Sequence, residues 1–158
     1  QFFLDNMPEQ GPARVVHGDY GLHNCLIGPE STVAAVVDWE ISTLGDPLAD
    51  LAYALNAWPE TEADRAADPD AATAAPGIPA RSELAARYAR RTGRNLDMLD
   101  YYVGFNCWKT AAIIHGVYAR YKAGQKSTEG VDMVGLRARI DSALGGAQDA
   151  VNRLTGGV

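Results

Sequence analysis

The chain has 158 residues, 47% of them hydrophobic and 22% charged, with a formal net charge of −6. That is the balance of a globular domain long enough to bury a core, and the acidic sign excludes the basic footprint of a nucleic-acid binder. Two cysteines, Cys25 and Cys107, are too few for a disulfide framework, and no stretch resembles a signal peptide or a membrane span. A cytoplasmic protein with no membrane or nucleic-acid partner is therefore expected. Gln1-Phe2-Phe3-Leu4 is not an initiator sequence, so the chain reads as a fragment of a longer protein.

Residues 1–6 form a short helix, stopped by Pro8 and Gly11. Val15-Val16 is an apolar step into His17-Gly18-Asp19. Cys25-Leu26-Ile27 and Val33-Ala34-Ala35-Val36-Val37 are β-prone, and Gly28-Pro29-Glu30-Ser31 between them carries turn residues, which predicts a β-hairpin. Asp46-Pro47 is a helix start, with Asp46 capping free N–H groups and Pro47 at the first helical position. That helix carries Leu48, Leu51, Ala52 and Leu55 inward and runs to about Trp58. Residues 59–80 lose periodicity and predict a long loop. A short helix over residues 82–92 ends at Gly93. Residues 97–123 are a long helix, apolar on most sides and so predicted to be buried, with His115 as a core histidine. Residues 131–154 place Met133, Leu136, Ile140, Leu144, Ala147, Val151 and Leu154 at steps of three and four, an amphipathic helix weakened at Gly145-Gly146. The fold class is α+β, mainly α: one domain over residues 1–158, helical around a small hairpin.

The chemistry concentrates in His17-Gly18-Asp19-Tyr20-Gly21-Leu22-His23-Asn24 and in Asp38-Trp39-Glu40. A carboxylate and an amide stand five positions apart in a loop leading into a strand, and a second carboxylate follows at the far end of the hairpin. The hairpin makes Asn24 and Asp38 neighbours. A carboxylate with an amide oxygen suits a hard cation such as Mg2+, which keeps its remaining positions for water and phosphate. Asp19 then stands beside that cation, free to accept a proton from an attacking hydroxyl. The H-x-D-x-x-x-x-N spacing followed by Asp-Trp-Glu matches the order of H-R-D-x-x-x-x-N and D-F-G in protein kinases.

With Gly45-Asp46-Pro47-Leu48-Ala49-Asp50-Leu51-Ala52 following, residues 15–58 resemble the aminoglycoside phosphotransferase and choline kinase superfamily, and most of all the branch found with acyl-CoA dehydrogenases. The resemblance implies the C-terminal lobe of a protein-kinase-like fold. It implies Asp19 as catalytic base, Asn24 and Asp38 as Mg2+ ligands, His17 as a brace of the loop, and Asp46 and Asp50 as structural support. The reaction implied is transfer of the γ-phosphoryl group of ATP or GTP to a hydroxyl of a small molecule. The family's N-terminal lobe carries the phosphate-covering loop, a Lys and its Glu partner; none of these lies in this chain, so the 158-residue piece alone is expected to be inactive or nearly so. Many members carry a basic residue where Gly21 stands. The family places its acceptor among the helices and loops of this lobe, which makes Glu60, Glu62 and His115 candidate acceptor-side residues, the acidic loop suiting a cationic acceptor.

Two other classes compete. A kinase-like module binding nucleotide without turnover accommodates Gly21. A metal-dependent hydrolase would use His17, His23, Asp19 and Asp38 on Zn2+ or Mn2+, but leaves Asn24 and the order of the motifs without a purpose.

Overall fold

The three- and four-residue spacing of Leu48, Leu51, Ala52 and Leu55 puts them on one helical face, and these four are the residues that α2 (Leu48–Leu55) buries. The structure, a computed structural model, describes residues 1–9 and 11–156. By its internal contacts the chain divides into two compact units, residues 9–99 and residues 1–8 with 100–158. The architecture is mainly helical with short antiparallel strands, and among the described residues no helix is long and apolar enough to cross a membrane.

In the unit of residues 9–99, β1 (Arg14–Val16) pairs antiparallel with β4 (Thr43–Gly45), Val15 opposite Leu44. The predicted hairpin is β2 (Cys25–Ile27) on β3 (Val33–Val36), with Cys25 opposite Val36 and an irregularity between Leu26 and Ile27. The β1–β4 pair has no counterpart in the sequence reading, because three-residue strands are too short to show alternation. Leu26, Ile27, Val33, Ile41 and Leu44, on these strands and their connections, are each more than half exposed.

The helix expected to reach Trp58 stops at Leu55. The N–H groups of Ala57 and Trp58 turn back three residues, to Ala54 and Leu55, while the Trp58 indole N–H donates to the Pro79 carbonyl at 3.0 Å. Residues 59–80 are not the unstructured loop expected. Thr61 and Asp64 cap each other's backbone N–H groups and start α3 (Glu62–Ala67), a reciprocal cap whose Thr-x-x-Asp signature stands in the sequence. A 3-10 turn follows at Ala72–Ala74. Thr73 Oγ1 donates to the Ala57 carbonyl at 2.6 Å, and the Arg65 guanidinium donates to the Ile78 carbonyl at 2.8 Å. The segment is thus bonded internally and back to the end of α2. In α4 (Arg81–Thr92), Glu83 accepts from the Ala80 N–H, and Gly93 closes the helix in the left-handed region at φ 70°.

The other unit holds α1 (Phe2–Asp5), α5 (Leu99–Lys122) and α6 (Met133–Leu154). Phe3 stands edge-on to Tyr101 and Phe105, and the Tyr101 hydroxyl donates to the Phe3 carbonyl at 2.8 Å. The predicted burial of α5 holds only in part: Phe105 and Trp108, on its predicted face, are 36% and 48% exposed. Tyr101, Tyr102, Val103, Gly104 and Asn106 are buried, whereas Ile113 is 61% exposed and His115 is exposed rather than in a core. The described partners of α5 explain this, since Phe3, Gly146 and Ala150 meet it at residues 101–108.

Gly145-Gly146 does not interrupt α6. A Cβ at Gly146 would lie 3.3 Å from Cys107 Sγ, and one at Gly104 3.2 Å from the Ala150 Cβ. Glycine costs a helix interior about 1 kcal/mol, offset here by the close approach of two helices. Of the predicted stripe on α6, Ile140 and Ala147 are buried; Leu144 is 46% exposed, and Ala150, outside the stripe, is fully buried. Gly104→Val is expected to overpack this crossing and lower stability by about 1–3 kcal/mol, read as a lower urea midpoint with unchanged slope; a midpoint equal to the parent's would refute the close packing.

Candidate active site

A loop that turns sharply leaves backbone N–H groups without ladder partners, and each must find an acceptor. Here the acceptor is Asp50, on the first turn of α2. Its carboxylate takes the His17 N–H on Oδ2 at 2.6 Å and the Gly18 N–H on Oδ1 at 2.8 Å. Gly18 sits at φ 86°, and a Cβ there would come within 3.1 Å of the Ile41 carbonyl oxygen, so both backbone angle and space call for glycine. Asp46 accepts the Leu48 N–H at 2.9 Å as expected, but the helix starts at Leu48, so Pro47, expected at the first helical position, stands at the N-cap.

His17 is 1% exposed. Its Nε2–H donates to the Val37 carbonyl at 2.8 Å, and its Nδ1 accepts the Asp19 N–H at 3.3 Å. These bonds define one tautomer and occupy both ring nitrogens. The ring also packs against Trp39, centroids 4.7 Å apart. His17 therefore braces the loop against the hairpin and has no nitrogen to offer a metal.

Asn24 ends the 3-10 turn Leu22–Asn24 and is buried. Its Nδ2 donates to the Asp19 carbonyl at 2.9 Å and to Asp19 Oδ2 at 3.3 Å. Its backbone carbonyl accepts the Val37 N–H at 2.9 Å, so the hairpin delivers Asp38, the next residue, to the end of the loop that holds Asn24. Asp38 is exposed, with φ at 66°. A side chain in that region costs about 1–2 kcal/mol, a strain typical of functional positions.

The sequence profile of the phosphotransferase enzyme family matches residues 1–92, more than half of the chain. The chain belongs to the phosphotransferase enzyme family. It is 38% identical over 127 residues to mouse acyl-CoA dehydrogenase family member 10, covering 78% of this chain and 12% of that protein. It is 35% identical over 135 residues to human acyl-CoA dehydrogenase family member 11, covering 82% of this chain and 17% of that protein. A plant relative from Arabidopsis thaliana, described as a probable acyl-CoA dehydrogenase, is 30% identical over 141 residues, covering 83% and 17%. The chain thus spans between 12% and 17% of the length of these curated relatives. The mainly helical α+β architecture with its hairpin beside the His-Gly-Asp loop is that of the C-terminal lobe of a kinase-like phosphotransferase.

Within this phosphotransferase lobe, the Asp19 carboxylate is half-buried, and three side chains donate toward it: Asn24, His23 and Tyr53. Burial pushes its pKa up, but the hydrogen bonds from Tyr53, His23 and Asn24, with the charge of His23, outweigh burial and hold it below the ordinary value. Tyr53 feels the reverse. Burial, its bond to Asp19 and the Asp19 charge push its hydroxyl up to about 12. Neither Tyr53 nor the contact between His23 and Asp19 is foreseen from the sequence. Tyr53 lies 34 positions from Asp19 and carries no motif signal of its own. The cue for His23 is its i,i+4 spacing from Asp19 across a short helical turn.

The acceptor-side candidates are placed as follows. Glu60 accepts from the Ser82 N–H at 2.9 Å and from its hydroxyl at 2.6 Å, at the start of α4. Glu62 is exposed and pairs with Arg65. His115 lies on α5, in the unit of residues 1–8 and 100–158. A cavity of about 400 Å³ opens beside the His-Gly-Asp loop, walled by Tyr20, Gly21, Leu22, Leu51 and Trp58 with Arg87 and Arg91 on α4.

Two outcomes are expected. Removing the Asp50 carboxylate (Asp50→Ala) orphans two N–H groups and costs about 1.5–3 kcal/mol, measured by chemical denaturation; an unchanged stability would show that the loop does not depend on that anchor. The Asp19 carboxyl carbon, followed by NMR, should titrate below the usual aspartate range, and Tyr53→Phe should raise its midpoint. Because the folded value is depressed, the associated stability is fully present above the unfolded value and is lost as pH falls through the folded one. A midpoint indifferent to Tyr53→Phe would contradict the assigned bond.

Proposed function

We propose that this chain is the catalytic-loop lobe of a small-molecule kinase that transfers the γ-phosphoryl group of ATP or GTP to a hydroxyl. The reading rests on Asp19 and Asn24 being bonded to each other at the end of the loop to which the hairpin delivers Asp38. In the reaction, the acceptor oxygen forms a bond to the γ-phosphorus as the bond to the bridging oxygen breaks. Nucleoside diphosphate leaves, and the hydroxyl proton passes to the Asp19 carboxylate. An aspartate held in its ionised form is a weak base, which suits a loose transition state where the hydroxyl needs orientation more than early deprotonation.

The residues also fit Mg2+. Asn24 directs its N–H donors to Asp19, and among the described residues no hydrogen bond uses its Oδ1. The Asp38 carboxylate likewise has no hydrogen bond or ion pair among the described residues. One amide oxygen and one carboxylate are the sparse, hard ligand set that Mg2+ takes, and bound there it would neutralise phosphate charge. The hydrolase alternative loses support, since His17 has both nitrogens engaged.

The kinase reading requires a nucleotide-covering lobe in addition to these residues. The acceptor is a hydroxylated small molecule, and the cavity beside residues 20–22 suits one with an apolar body and an anionic group, through Arg87 and Arg91. The names of the relatives bring hydroxyacyl thioesters into the acceptor panel, alongside alcohols, sugars and aminoglycosides. With Mg2+ and a suitable acceptor, the full-length protein should consume ATP or GTP. Asp19→Ala should lower turnover by at least about a hundredfold, chelation of the metal should stop it, and the isolated 158-residue chain should show none. Full turnover in Asp19→Ala would reject the base. Nucleotide binding without transfer to any acceptor in the panel would instead identify a binding module.

A further inference from the structure

The one basic side chain with a described contact to Asp19 is that of His23, whose Nε2 lies 3.4 Å from Asp19 Oδ2. Asn24 donates to the same oxygen at 3.3 Å. Oδ2 is thus held from two sides, and the carboxylate plane is fixed with respect to whatever approaches its remaining lone pairs.

In the pose that reaches Asp19, the imidazole lies where a side chain at position 21 would begin. A Cβ built on Gly21 would lie 2.6 Å from His23 Cε1 and 2.8 Å from His23 Nδ1. Real Cβ atoms do not approach that closely, so any other residue at 21 would push the ring aside. Gly21 is otherwise under no conformational demand: its φ of −160° and ψ of 174° are extended backbone open to every residue. The imidazole thus takes the space that a side chain at 21 would fill, at a position that also lines the cavity. His23 is 57% exposed, and exposed pairs of this kind contribute little to stability, so the pairing is poorly explained as a device of folding.

We propose that His23, seated in the space left by Gly21, is a positioning residue that donates to the Asp19 carboxylate and orients it toward the acceptor hydroxyl. The assignment rests on the kinase reading above. It requires only a donor at the Nε2 position and not a particular protonation state. Gln carries an amide donor at similar reach and preserves the role, whereas Ala removes it. Gly21→Ala removes it as well, with His23 still present, by displacing the ring.

The test is steady-state kinetics on the full-length protein with ATP, Mg2+ and an acceptor from the panel, for the parent, Asp19→Ala, His23→Ala, His23→Gln, Gly21→Ala and the double variant Gly21→Ala/His23→Ala. His23→Ala should lower kcat by about tenfold to a hundredfold, the range expected when a reacting group is misplaced by an ångström or less, with KM for ATP unchanged. His23→Gln should recover most of that loss. Gly21→Ala should resemble His23→Ala, with a melting temperature equal to the parent's, and the double variant should be no slower than His23→Ala, since both changes remove one interaction. Parental kcat in His23→Ala, a His23→Gln as slow as His23→Ala, or a double variant whose losses multiply would overturn the assignment while leaving the kinase reading intact, provided Asp19→Ala is inactive. A parent with no turnover on any acceptor would overturn both.

Discussion

The arrangement of the site depends on one carboxylate. Asp50 accepts the N–H groups of His17 and Gly18 across 33 and 32 positions of chain, and these charge-assisted bonds fasten the His-Gly-Asp loop to α2. Hydrogen bonds to an ionised acceptor are shorter and stronger than neutral ones, and two on one carboxylate fix orientation as well as distance. Everything downstream inherits that orientation: His17 reaches Val37, Asn24 reaches back to Asp19, and the hairpin register carries Asp38 alongside. The helix, with Leu48, Leu51, Ala52 and Leu55 packed beneath it, is the rigid body against which a strained loop is held.

Left-handed backbone occurs in both segments of the candidate site. Gly18 and Asp38 occupy the left-handed region at φ 86° and 66°; the first is a glycine and avoids the cost, the second is not and bears it. Asp38 has no described hydrogen bond to compensate. The residue before it is anchored, since Val37 is bonded through its N–H to Asn24 and through its carbonyl to His17. An exposed carboxylate beside an anchored residue is left open to a ligand. Asp19, in contrast, is surrounded by donors and held ionised. Two aspartates 19 positions apart thus receive opposite treatment, one presented bare and the other oriented by Asn24, His23 and Tyr53.

What was legible in the sequence was local. The His-Gly-Asp and Asp-Trp-Glu motifs, the hairpin between them, the buried face of α2 and the cap by Asp46 all follow from spacing and turn chemistry within a few residues. The features that escaped depend on distance along the chain or on partners. Strands β1 and β4 are too short to announce themselves and meet only because residues 17–42 fold back between them. The segment of residues 59–80 lacks an apolar stripe, yet is ordered by hydrogen bonds from Thr73, Arg65 and Trp58 to backbone carbonyls, which periodicity does not report. The apolar character of α5 continues past the point where described neighbours cover it, so composition predicts burial that packing does not provide. Gly21 reads in the sequence as the loss of a side chain, whereas in the structure it is room for one two positions further on.

The two small sheets have a practical bearing on how the chain behaves in solution. Among the described residues each has two strands, so each strand has an edge without a further strand, and these strands carry exposed Leu26, Ile27, Val33 and Leu44. Bare, apolar strand edges are templates for intermolecular pairing. Net negative charge of −6 keeps molecules apart at long range but is screened over about 8 Å at physiological salt, well before two edges meet. A preparation of this chain alone is therefore prone to self-association as salt and concentration rise, and charged or proline substitutions on the outer strand positions are the remedy its surface suggests.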